Sequence, residues 1–252
     1  MKKYILLLGS VLLLGGCSEY NQPISSESEG IWNELIVWPI VKFIQLLAEF
    51  TGSYAGGIIL VTVIVKICIL PLTLKQIKSS RAMQTLQPQL QALQKKYSSK
   101  DAATQQQYQQ EMMKLMQSTG ANPIAGCLPT LIQMPILIGL FHAISRMNIT
   151  SMYELGSIFD ISLATPSILF ALLAGGLQYF VLKTGPSLNT NSQMMIMQYL
   201  LPIMIIVFGL MAPTAITLYW IVSSFISIFQ NILIYKILYS KDEAMPLVNE
   251  NK

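Results

Sequence analysis

The run Ile58-Ile59-Leu60-Val61-Thr62-Val63-Ile64-Val65-Lys66-Ile67-Cys68-Ile69-Leu70-Pro71-Leu72-Thr73-Leu74 is apolar apart from small hydroxyl groups and one lysine at its midpoint. A helix of this length rises about 25 Å, close to the thickness of a bilayer's hydrocarbon core. Outward from it, four further stretches carry no residue charged at neutral pH: Ile124 to Ser145, Ile161 to Leu182, Met194 to Met211, and Thr214 to Tyr235. The last two are separated by Ala212 and Pro213 alone, which predicts a tight helical hairpin. Composition agrees: 53% of the 252 residues are hydrophobic and 11% charged. A soluble domain carries about 25% charged residues, so this chain lacks the polar surface to coat a globule in water. The expected fold is an all-α integral membrane protein with five transmembrane helices, an amino-terminal interfacial helix and a cytoplasmic helical hairpin.

Lys66 is the most informative position. A charge at mid-bilayer costs about 2.5–3.5 kcal/mol, and such residues usually face a wet cavity or a partner. None of the five runs holds an acidic residue, so an intramembrane salt bridge within the bundle is not on offer. That leaves a hydrated cavity as the expected surroundings, the alternative being a neutral lysine in a dry core. Thr62, Gln133, Gln178, Ser223, Ser224, Ser227 and Gln230 are the polar groups that could line it, with Trp220 at its edge; singly, each could equally be helix–helix glue. His142, the one histidine, reads as a packing or interfacial residue. No catalytic constellation, phosphate-binding glycine loop or metal-spaced cluster is visible, so neither enzyme activity nor a cofactor or metal is expected. The modest net charge of +4 gives no reason to expect nucleic-acid binding.

The amino terminus reads as a secretory leader. Lys2 and Lys3 precede the short apolar run Ile5 to Leu14, and Leu14-Gly15-Gly16-Cys17 resembles a bacterial lipobox. In such signals the leader (residues 1–16) is removed and Cys17 is acylated. The alternative is a plain cleaved signal with an incidental cysteine. Residues 17–57 then form an extracytoplasmic tether, polar and acidic from Ser18 to Gly30, followed by the interfacial helix. In that helix, Glu34, Lys42, Gln45 and Glu49 fall within roughly 80° of arc on an otherwise apolar cylinder. This pattern suits a helix lying among headgroups; the rival reading is a further span, which three charges and Pro39 disfavour.

The first span, 58–74, leads into residues 75–123. There Leu86, Leu90, Leu93 and Tyr97, then Tyr108, Met112 and Leu115, make two apolar stripes around a turn at Ser98 to Asp101, with Asp101 as a helix cap. This hairpin is either a spacer or an arm that touches a client chain. It carries Lys75, Lys78, Arg81, Lys95, Lys96, Lys100 and Lys114 against Asp101 and Glu111, a net +5, whereas Cys17 to Gly57 sums to −4. The positive-inside rule therefore places the hairpin in the cytoplasm and the amino terminus outside. Spans two to five (124–235) then leave the tail (236–252) inside.

Three segments together carry a family resemblance: Val61 to Lys66 with Leu70-Pro71-Leu72 and Lys75-Gln76; Gly126-Cys127-Leu128-Pro129 through Gln133-Met134-Pro135-Ile136; and Leu218-Tyr219-Trp220-Ile221-Val222-Ser223-Ser224. From about Ile31 to Tyr235 the chain resembles the YidC/Oxa/Alb membrane protein insertases in their Gram-positive lipoprotein form. The resemblance implies a hydrophilic groove open to cytoplasm and lipid, lined by Gln133, Gln178 and Trp220. The groove's basic residue, usually arginine, corresponds to Lys66. It implies insertion and folding of integral membrane proteins, alone or with the Sec translocase. The implied partners are nascent membrane-protein clients, the ribosome and the lipid bilayer. The competing readings are a small-solute channel or transporter, and a non-catalytic assembly factor.

Overall fold

The computed structural model describes residues 21–98, 101–118, 128–185 and 192–242. A π-helical turn, Asn33–Val37, runs into α1, Trp38–Thr51. Then come α2 (Tyr54–Thr85), α3 (Gln87–Lys96), α4 (Ala102–Ser118), α5 (Leu128–Ile149), the strands β1 (Ser157–Ile158) and β2 (Ile161–Ser162), α6 (Ile168–Thr184), α7 (Ser192–Gly209) and α8 (Thr214–Asp242). The protein is mostly helical, and each of the five apolar runs overlaps a helix: α2, α5, α6, α7 and α8. Among the described residues, Tyr54–Ile77 and Thr214–Ile234 are long and apolar enough to cross a membrane; Ile168–Thr184 and Tyr199–Gly209 are shorter apolar helices.

The π turn has a local cause. Pro39 has no N–H to give the carbonyl of Leu35, so the regular ladder cannot pass through it. Trp38 N–H reaches back five residues to Asn33 O instead. Beyond it α1 buries Val41, Ile44 and Ala48 against α2 while Phe43, Leu46 and Phe50 stay exposed beside Glu49 and Lys42. Lys42 Nζ lies 4.8 Å from the Trp38 ring centroid and donates to Gln45 Oε1 at 3.3 Å, which gathers the polar stripe.

One expected boundary is corrected. The run from Ile161 does not begin a helix: Ile161–Ser162 pairs antiparallel with Ser157–Ile158, and Phe159 and Asp160 turn the chain at φ of 51° and 61°. The helix starts only after Ser167. Pro166 disfavours helical backbone at Thr165, and the carbonyls here have another use. Leu163 O accepts from Ala215 N–H, and Thr165 O from Thr214 N–H, each at 3.0 Å. Orphan donors at the start of α8 are thereby satisfied.

A buried apolar cluster joins Val37, Val41 and Ile44 to Ile58 and Val61 of α2, to Leu140, Ile144 and Met147 of α5, and to Ile216 and Leu218 of α8. Helix α6 packs on both α7 and α8, and α8 packs on α2. The outward faces of α6 and α7 are apolar: Leu172, Leu173, Phe180, Ile203, Met204 and Val207 are all exposed. Helices α3 and α4 lie against one another, with Leu86 and Met116 buried.

Candidate functional site

Helix α8 is where the polar side chains of the bundle meet. Lys66 of α2 is half-buried, and its ammonium donates to Ser227 Oγ at 3.0 Å. Gln133 of α5, also half-buried, donates through Nε2 to the hydroxyl of Tyr219. On the α6 side, Ser224 donates to Gln178 Oε1 at a long 3.5 Å. Trp220 is half-buried with its ring edge-on to Phe208 of α7, centroids 5.4 Å apart. At 100° per residue, Tyr219, Trp220, Ser223, Ser224 and Ser227 fall within roughly 140° of arc, so one side of α8 carries all of them.

The arrangement follows from helix geometry. Thr62 and Lys66 are four apart, so they share a face of α2. Thr62 is buried and returns its hydroxyl to Ile58 O at 2.6 Å, which leaves Lys66 as the group that reaches across. Tyr219 and Ser227 are separated by two turns, about 12 Å along the axis. The contact of Gln133 and the contact of Lys66 therefore sit at different depths. Two of the expected lining residues, Lys66 and Gln133, bind α8 directly, Gln178 does so weakly, and Trp220 belongs to α8 itself. Ser223 and Ser224 are buried, whereas Ser227 and Gln230 are partly exposed. Cys17 lies outside the described residues.

Two groups escaped the sequence reading. Tyr219 was visible only as a neighbour of Trp220; its signal was that a buried tyrosine hydroxyl needs a partner, and Gln133 supplies it. Arg146 lies one residue past the uncharged run that ends at Ser145, and it is 1% exposed. His142 is buried as expected of a packing residue, edge-on to Trp32 and Phe141 at 6.3 and 6.0 Å. A cavity of about 420 Å³ lies elsewhere, lined by Gln45, Glu49, Ser53, Tyr54, Glu154 and Ser157, and shares no residue with the Lys66 side of α8. Among the described residues no group of three or more His, Cys, Asp or Glu is placed to hold a metal ion.

Comparison with known proteins bears on this arrangement. Residues 46–242 match the family described as "60Kd inner membrane protein". The membrane protein insertase YidC of Oceanobacillus iheyensis is 43% identical over 246 residues, covering 94% of this chain and 96% of that one. The insertase MisCA of Bacillus subtilis is 44% identical over 231 residues, 90% of this chain and 88% of the relative. A crystal structure of an active YidC insertase, with its first transmembrane domain resolved, superposes with a TM-score of 0.60 at 29% identity. That match covers 82% of this chain and 47% of the crystallised one. With the family match spanning most of the sequence and relatives of this similarity along nearly its whole length, the chain belongs to the 60Kd inner membrane protein family, that of the YidC insertases.

Proposed function

We propose that the protein is a membrane protein insertase and chaperone that passes clients through a hydrophilic groove along α8, working alone or beside the Sec translocase. The observation that carries the groove is Lys66: a lysine at the centre of an apolar helix, half-buried and hydrogen-bonded to Ser227 on a neighbouring helix. Its side chain is neither sealed in the interior nor among the fully exposed residues. A hydroxyl alone is a poor counterpart for an ammonium group, so water completes its shell. The family membership and the insertase names of the relatives support the same reading.

The mechanism is physical. Water in the groove shortens the hydrocarbon path, Lys66 attracts an acidic segment of the client, and the client's apolar segment then moves sideways into lipid as its surface leaves water. The exposed apolar faces of α6 and α7 give that segment a hydrocarbon boundary to enter. Five helices (α2, α5, α6, α7, α8) span the bilayer, α1 lies in the outer interface, and α3 and α4 form the cytoplasmic hairpin that meets the ribosome or the client. Cys17 carries the lipid anchor outside, and the tail ends in the cytoplasm. The chemistry is non-covalent throughout, with no enzymatic step.

The test is complementation in a strain depleted of its own insertase. Lys66→Ala is expected to reduce insertion of a single-span client with an acidic tail at least several-fold, while Lys66→Arg retains it. A client lacking acidic residues should respond far less. Equal insertion of the acidic client by wild type and Lys66→Ala would overturn the role given to this charge.

A further inference from the structure

The carboxyl-terminal end of α5 holds a piece of backbone that is remote in sequence. Arg146 is almost wholly buried, and its guanidinium is spent on the segment that precedes the first helix. Nε donates to Gln22 O at 2.8 Å, and Nη2 donates to Pro23 O at 3.2 Å and to Ser28 Oγ at 3.5 Å. Nη1 donates to Asn33 Oδ1 at 2.5 Å, and Asn33 Nδ2 in turn donates to Glu29 O at 2.6 Å. One turn beyond, Thr150 Oγ1 accepts from Ile24 N–H at 3.0 Å while donating to Arg146 O at 2.6 Å. Ile24 itself is 1% exposed and belongs to the main apolar cluster.

These contacts have the form of a binding site for extended backbone. Two successive carbonyls, of Gln22 and Pro23, and the N–H that follows them, of Ile24, are engaged by side chains at the end of α5 more than a hundred residues away, and the Ile24 side chain is seated in the core. The planar fork of arginine matches several acceptors at once, which a lysine cannot do. A buried cation is costly unless its donors are used, so the position makes physical sense only with the segment in place. A loose, solvated tether would need none of this.

We propose that Arg146, Thr150 and Asn33 form a peptide-backbone-binding site whose occupant is this chain's own segment from Gln22 to Ser28, making that segment a fixed strap across the ends of α5 and the π turn. Arg146 is a positioning residue in this arrangement and touches no client. The strap stands independently of the insertase reading.

A double-variant cycle on the full-length protein in detergent tests it. Arg146→Met and replacement of residues 22–28 by a Gly/Ser sequence are each expected to lower Tm by roughly 5–10 °C. The combined variant should lose less than the sum of the two single losses, because the strap replacement already weakens the guanidinium's hold on residues 22, 23 and 28. Additive losses would overturn the proposal. A spin label at Ser26→Cys, in a background with Cys68→Ser and Cys127→Ser, supplies a readout that stability alone does not move. Its mobility should rise severalfold in Arg146→Met and to a lesser degree in Thr150→Val, which leaves the guanidinium in place. A label already mobile in the parent, or equally immobile in both variants, would also overturn it. Should Arg146→Met fail to fold, the Thr150→Val comparison decides alone.

Discussion

A hydrogen atom in place of a methyl group decides how closely α1 and α2 approach. A Cβ on Gly57 would lie 2.8 Å from Ala48 N and 2.9 Å from Ile44 O, both backbone atoms of α1 that cannot swing aside. Gly57→Ala must push the two helices apart, at a cost of about 1–3 kcal/mol, and should lower Tm measurably. Gly176 of α6 is the control: a Cβ there meets nothing within 4 Å, so Gly176→Ala should leave Tm unchanged or raise it slightly. A rise in both would show that helix propensity, not interhelical space, governs these positions. At this scale the sequence is informative where a residue is out of character with its surroundings. Lys66 inside an apolar run announces itself. Gln133, Gln178 and Trp220 stand out as polar or amphipathic groups in apolar runs, and the family resemblance points to the same positions. Arg146 could not be read, because two of its acceptors are backbone carbonyls, which have no side-chain signature, and because it directly follows the uncharged run that ends at Ser145.

At the scale of elements, caps and prolines set boundaries that hydropathy does not. Asp101 Oδ2 accepts from Thr104 N–H at 2.9 Å at the start of α4, on an exposed helix with little packing to hold it. Asp101→Ala should cost about 1 kcal/mol, and because the effect is local it should appear as roughly fivefold faster hydrogen exchange across the first turns of α4 with Tm unchanged. Unaltered exchange there would mean that contact with α3 alone fixes the helix. The apolar stripes from Leu86 to Tyr97 and from Tyr108 to Leu115 were legible because a helical period survives in a polar stretch. The segment from Ile161 was not, since a buried strand and a buried helix look alike over a few apolar residues; Pro166 was the clue that the helix begins later. The π turn was likewise hidden, although Pro39 is its cause.

For the whole molecule, the charge asymmetry predicts which side each end of the bundle faces. A membrane-impermeant maleimide should label Phe159→Cys, at the tip of the β1–β2 turn and 87% exposed, in intact cells. Ser98→Cys, exposed at the end of α3, should react only after the membrane is opened. The reverse pattern would invert the proposed orientation. Helix order was within reach of the sequence, because each apolar run is long enough to specify a helix. The choice of α8 as the common contact of α2, α5 and α6 was not, since it depends on which faces pair.

The gripping of Gln22 and Pro23 by Arg146 has a consequence for any acyl chain on Cys17. Five residues, even fully drawn out, reach no farther than about 17 Å. A lipid attached there is therefore moored beside α1 and the end of α5 and cannot roam at the end of a long leash. On the proposed orientation, any such fatty tails would enter the outer leaflet within that distance of Gln22, beside the bundle.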